Sequence, residues 1–328
     1  MQSVAQAWLA PPSTECHSRL GKRPGCQASA CCGRSLPITR DLRLAYLVSL
    51  VIAVLMAMVS AAGLMFGSAG LYGADPKLAV GVTEAEAGLL VPGFLAQDAY
   101  NLVVGLPILL ASLWLARRGS LIGLLLWPGA LFYMLYTYAL YLVGAPFSAL
   151  FLAYVALVAV IAYTMIGIVA SIDGEQVRQR LDGVVPARTI GGILIGLAVL
   201  TLAQDAGGAV VTALAGGAPL DPVARHVWIA DLAVEVPAVL IGGVLLWRRE
   251  RLGYVAGAGL LLQFGLTPTG LAAIIALQPV LTAGPLDVGT IIGLLIFSVV
   301  CFATLAFFVR GAIRPLRPAS PPIAGAHG

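Results

Sequence analysis

The chain has 328 residues, 60% of them hydrophobic and 10% charged, with a formal net charge of +4. A soluble domain carries about 25% charged residues, so this balance excludes an ordinary water-soluble enzyme, a disordered chain and a nucleic-acid binder. It predicts an all-α, polytopic protein of the cell membrane, with membrane lipids as its first partners.

In chain order, residues 1–40 come first and read as a disordered cytoplasmic tail. They are polar, hold Pro11, Pro12 and Pro24, and lack the apolar core of a cleaved signal peptide. Cys16, Cys26, Cys31 and Cys32 lie here beside His17, but their irregular spacing fits no zinc pattern. No metal or other cofactor is expected.

A helix needs about 20 apolar residues to cross the hydrocarbon core, because its backbone polar groups must be satisfied within the segment. Eight stretches qualify: 44–66, 97–116, 121–143, 149–170, 189–205, 227–246, 253–277 and 288–309. The fifth is the shortest, since Gln204 and Asp205 interrupt its far end. In the long loop before the second span, Thr83 and Glu86 form a capping box that predicts a short interfacial helix ended by Pro92. Gly192-xxx-Gly196 and Gly253-xxx-Gly257 are spacings that let helices approach closely.

Lysine and arginine are retained on the cytoplasmic side of short loops. With a cytoplasmic N-terminus, 17 of the 19 basic residues fall inside, and only Lys77 and Arg225 fall outside. The net charge of +4 then divides into +11 on the cytoplasmic side and −7 on the outer side and in the outer halves of the spans. Both termini are therefore expected in the cytoplasm.

The second span reads Asn101-Leu-Val-Val-Gly-Leu-Pro107 and the sixth Asp231-Leu-Ala-Val-Glu-Val-Pro237, and each continues into a tryptophan and a double arginine. This match predicts two four-helix repeats, 41–170 and 189–310, joined by a charged cytoplasmic linker, 171–188, and followed by a tail, 311–328. Four is even, so the halves point the same way through the membrane.

Ionisable residues inside a span are costly, by about 2.5–3.5 kcal/mol at its centre, and normally face a partner or a wet cavity. Asp98 and Asn101 in the second span, Gln204 and Asp205 in the fifth, and Asp231 and Glu235 in the sixth all lie toward the outer side. Tyr133, Tyr136, Thr137, Tyr138 and Tyr141 in the third span, and Thr267 and Thr269 in the seventh, share that level. Asp231 and Glu235 are four residues apart and share a helix face. No lysine, arginine or histidine lies within a predicted span to neutralise them. Pro107 and Pro237 each remove a backbone hydrogen bond and free a carbonyl near Val103 or Ala233.

These features predict an acidic, outward-facing pocket built by Asp98, Asn101, Asp231, Glu235 and Tyr136, which receives a cation, a proton or a small polar solute. The other reading of the same residues is structural, with the polar groups hydrogen-bonded to one another as glue between helices. The three histidines, His17, His226 and His327, supply no haem or copper ligands within a span. The zinc-protease, nucleophile-elbow and P-loop motifs are missing, and Asn101 opposite Asp231 spoils an aspartyl dyad. A transporter or permeation protein is the first expectation. A membrane-embedded enzyme acting on a lipid, with Glu235 as general acid or base, and a membrane scaffold or sensor subunit are the alternatives.

The stretch from Gln97-Asp98 through Gly105-Leu-Pro107 to Ser112-Leu-Trp-Leu-Ala-Arg-Arg-Gly119-Ser120, with Val244-Leu-Leu-Trp-Arg-Arg-Glu-Arg-Leu-Gly-Tyr254, resembles a family of prokaryotic multi-pass membrane proteins with no assigned function. The likeness covers about 40–310 and implies a multi-pass membrane fold, without a catalytic residue or a substrate.

Overall fold

The computed structural model describes residues 36–67, 72, 84–145, 148, 150–214, 222–282 and 286–313. They form helices α1 (Arg43–Phe66), α2 (Glu84–Tyr100), α3 (Leu106–Arg117), α4 (Leu121–Gly144), α5 (Phe151–Ser171), α6 (Gly174–Leu181), α7 (Ala187–Leu214), α8 (Pro222–Ala230), α9 (Val236–Trp247), α10 (Arg251–Thr282) and α11 (Val288–Ile313). Two π-helical segments, Asn101–Gly105 and Asp231–Glu235, join α2 to α3 and α8 to α9 without a break. No strand occurs among the described residues. Among the described residues eight continuous helical spans are long and apolar enough to cross a membrane, and the chain is an all-α, multi-pass membrane protein.

Span 5 departs from expectation. It runs from Ala187 to Leu214, past Gln204 and Asp205, and is among the longest rather than the shortest. Asp205 does not end the helix because its side chain turns into the protein, where it is buried, instead of marking a water interface. Pro92 likewise does not end an interfacial helix. α2 continues through it, losing one backbone bond, and passes straight into span 2. Thr83 of the expected capping box and the four N-terminal cysteines lie outside the described residues.

The spans alternate in direction, so Arg43, Arg117, Arg118, Arg188, Arg248, Arg251 and Arg310 gather at one end of the bundle. Residues 171–188 contain α6 at this arginine end. Asp173 caps it by accepting from the backbone N–H groups of Glu175 and Gln176, each at 3.1 Å. Arg178 pairs with Glu175 at 2.8 Å and holds that exposed carboxyl below its ordinary range. Asp182 accepts from the Tyr254 hydroxyl at 2.8 Å and pairs with Arg249 at 3.6 Å, fixing the linker to the start of span 7.

Span 3 is the most enclosed, with 78% of its apolar window buried against 17% for span 5, so it forms the centre of the bundle and span 5 its rim. Spans 3 and 7 cross at Gly129 and Gly259, where a Cβ on Gly129 would stand 2.3 Å from the Gly259 Cα. Only glycine permits that backbone contact. Around this pair, span 2 flanks span 3 and span 6 flanks span 7, while the α2 end of span 2 reaches span 7 and α8 reaches span 3. Span 5 packs on span 6 through Gly191, which faces the Trp247 backbone, and Gly192, which faces the Trp247 ring. Gly196 meets nothing, so the contact spacing in span 5 is Gly191 with Gly192 and not Gly192 with Gly196.

Pro107 and Pro237 have the same local outcome. Each lacks an N–H and crowds the carbonyl four residues earlier, and the helix accommodates this by widening into a π turn just before the proline. Leu106 N–H bonds the Asn101 carbonyl, and Val236 N–H bonds the Asp231 carbonyl. Spans 2 and 6 then end in matching tight turns. Gly119, at φ 79°, follows the first and Arg249, at φ 59°, the second, both in the left-handed region that reverses the chain.

Substituting Gly129→Ala is expected to lower unfolding stability by about 1–3 kcal/mol, since backbone, not a flexible side chain, blocks the added methyl. Gly196→Ala, in open space on a helix, should be neutral or stabilising by up to about 1 kcal/mol. Thermal unfolding of the detergent-solubilised protein checks both.

Candidate functional site

The π turn in span 6 carries Asp231 and Glu235 at its two ends, and both side chains are buried. The wider turn keeps the two carboxyl groups together on the face turned toward spans 3, 5 and 7. The Tyr136 hydroxyl of span 3 donates to Asp231 Oδ1. Gln263 of span 7 donates through Nε2 to Glu235 Oε1, and also to the Thr267 hydroxyl at 3.1 Å. Asp205 of span 5 completes the group. Asp231 interacts electrostatically with both Asp205 and Glu235, so the three carboxyl groups form one acidic cluster.

This cluster lies in the wall of a cavity of about 230 Å³ in the half of the bundle opposite the arginine end. Spans 2, 3, 5, 6, 7 and 8 all contribute to the lining, and much of it is apolar, including Phe94, Leu140, Phe264, Leu271 and Phe297. No lysine or arginine is among the described lining residues. The basic group that does reach the cavity is His226. Its ring is buried against Gly144, where a Cβ would come within 2.8 Å of it. His226 lies inside span 6, which begins at Ala224, and not before it as the apolar run suggests. Among the described residues no group of three His, Cys, Asp or Glu side chains is arranged to hold a metal ion.

Two acceptor atoms beside the cavity have no hydrogen-bond partner: Asp205 Oδ2 and Gln263 Oε1. Asp205 is 4% exposed and Gln263 fully enclosed, so neither is satisfied by bulk water. A buried polar atom without a partner costs about 1–3 kcal/mol, and among the described residues Ser60 Oγ, Asn101 Nδ2 and the Tyr138 and Tyr154 hydroxyls, away from the cavity lining, share that condition.

Asp98 and Asn101 are placed elsewhere. Both are fully buried behind the cavity wall and do not line it. Asp98 accepts from the Tyr72 hydroxyl and, at 3.0 Å, from Tyr141. It sits among packed rings, with Tyr72 and Phe94 centroids 5.3 Å apart and Tyr141 and Tyr154 centroids 5.1 Å apart. Asn101 accepts at 3.0 Å from both Gln97 and Tyr133. Gln97, Tyr133 and Tyr141 stand between these groups and the cavity. Of the five residues expected to share one pocket, Tyr136, Asp231 and Glu235 therefore do, while Asp98 and Asn101 form a hydrogen-bonded layer behind it.

Asp205 and Gln263 are the buried polar groups beside the cavity that the sequence alone undervalues. Gln263 left a signal, as a single polar residue in the apolar run Gly259-Leu-Leu-Leu-Gln263-Phe-Gly-Leu266. Comparison with known protein families, with curated proteins and with solved structures gives no match for this chain.

Tyr141→Phe removes one of the two hydroxyl donors holding Asp98, and is expected to cost about 1–3 kcal/mol of stability because the carboxyl is enclosed. Tyr163→Phe, on a side chain that is 77% exposed, should leave the thermal unfolding temperature unchanged.

Proposed function

We propose that the protein is a transporter or permeation protein of the cell membrane, with a polar pocket that admits a cation, a proton or a small polar solute. One observation carries this reading: three buried carboxyl groups, Asp205, Asp231 and Glu235, gather at a cavity with no lysine or arginine in its described lining. The layer around Asp98 is closed by packed rings, whereas the unpartnered Asp205 Oδ2 stands in the wall of a cavity with room for a solute, which is what a solute-binding position requires.

The arginine-rich end is the cytoplasmic one in this proposal, with both termini on that side and the cavity toward the exterior. The retention of 17 of 19 basic residues on one side supports it. Two parallel four-span repeats are part of the same proposal. Their support is that the π turns, the prolines, the left-handed turn residues Gly119 and Arg249, and the crossing glycines Gly129 and Gly259 all recur at equal spacing in the two halves.

Reconstituted in liposomes, the protein should carry a flux of protons, monovalent cations or small polar solutes that D231N/E235Q reduces about tenfold or more, the loss of one or more buried charge-assisted contacts. Unchanged flux of every solute in a folded double variant would overturn the reading. Single cysteines introduced at Gly119 and at Gly289 should react with an impermeant maleimide from the cytoplasmic and the outer side respectively; the reverse pattern would invert the topology.

A further inference from the structure

We infer that the cavity binds an amphipathic amine, an aromatic or aliphatic body carrying one protonated primary or secondary nitrogen, with the nitrogen at Asp205 and the body along the apolar wall. This deepens the proposed function and rests on it. The inference begins with what the cavity still needs. The donors at the cluster are already engaged: Tyr136 gives its proton to Asp231, and Gln263 gives its amide protons to Glu235 and Thr267. What remains in the wall is an acceptor, the partnerless Asp205 Oδ2. A ligand that satisfies it must donate. A protonated amine offers two or three N–H donors together with the charge that favours carboxylate partners.

The rest of the lining limits what else the ligand can be. A bare inorganic cation needs about six oxygen ligands, whereas most of this wall is carbon, with Phe94, Phe264 and Phe297 among its rings. Those surfaces suit an apolar body, and ring faces near an ammonium group add cation–π attraction. Size follows from volume: about 230 Å³ is room for roughly eight waters at about 30 Å³ each, so the body has about eight non-hydrogen atoms. A fixed quaternary ammonium would carry the charge but leave the Asp205 acceptor unmet.

The test is equilibrium binding to the purified full-length protein in detergent, by isothermal titration calorimetry. The probe is 2-phenylethylamine, and its comparators are 2-phenylethanol, which keeps the ring and loses the ammonium, and potassium chloride. The amine is expected to bind about tenfold or more tightly than the alcohol, the margin of one charge-assisted hydrogen bond. D205N and E235Q should each weaken the amine by a similar factor while leaving the alcohol unchanged, and retained alcohol binding shows that the variants are folded. Equal affinity of amine and alcohol overturns the inference, as does amine binding that both variants leave intact, or complete displacement of the amine by potassium. If neither variant folds, the amine-to-alcohol ratio of the natural chain still decides. Flux of potassium or of a neutral solute that D231N/E235Q abolishes, without amine binding, would keep the permeation reading and discard this one.

Discussion

Small residues let two helices of a membrane protein approach backbone to backbone, and Gly129 with Gly259 provides that contact at the centre of this bundle. Hydrocarbon solvates apolar side chains as well as a protein core does, so close packing, not exclusion of apolar surface from water, must hold spans 3 and 7 together. Their crossing brings Tyr136 of one and Gln263 of the other to the same level, facing the π turn of span 6. The carboxyl cluster, its two donors and the cavity all depend on the separation that those glycines set.

The polar groups divide according to whether packed rings or a cavity lies beside them. Around Asp98 and Asn101, tyrosine hydroxyls and the Gln97 amide converge on the carboxyl and amide oxygens, and packed rings close the space. This half behaves as a hydrogen-bonded core. Around Asp231, three acidic side chains meet fewer donors, and an empty volume lies beside them. Both groups keep buried polar atoms without partners, the Asn101 amide nitrogen in the first and Asp205 Oδ2 in the second, so it is the cavity beside the second group that sets it apart.

Much of the fold was legible because the bilayer imposes a simple length rule on apolar runs, and seven of the eight spans were placed to within a turn or two at each end. Span 5 was not, because a carboxyl in an apolar run looks the same whether it marks the interface or turns inward to a cavity, as Asp205 does. His226 was misplaced for a related reason, being an ionisable residue at a span end that is nonetheless buried. The prolines were recognised as breaking one hydrogen bond, but local sequence does not say whether the freed carbonyl stays open or the helix re-pairs it in a wider turn. Asp98 and Asn101 share a level with Asp231 in the sequence, and only the tertiary packing separates them into a filled and an unfilled region. Gln263 is not legible in the same way, because its contact with Glu235 depends on span 7 passing that residue at the same height.

The π turns add a consequence for how spans 2 and 6 meet their surroundings. Each residue advances an α-helix by about 100°, so one additional residue in a turn shifts the phase of everything beyond it by that amount. Span 6 can therefore bury Val239, Gly243 and Leu246 against its neighbours in one half and present Asp231 and Glu235 to the cavity in the other, on faces that an unbroken α-helix would not bring into this alignment. The same offset operates in span 2, between Leu109 and Leu113 on one side and Asp98 and Asn101 on the other. Each of these spans is in effect two helices of different phase sharing one backbone, and a single-residue deletion in Asp231–Glu235 would leave the packed half in place while turning the carboxyl groups away from the cavity.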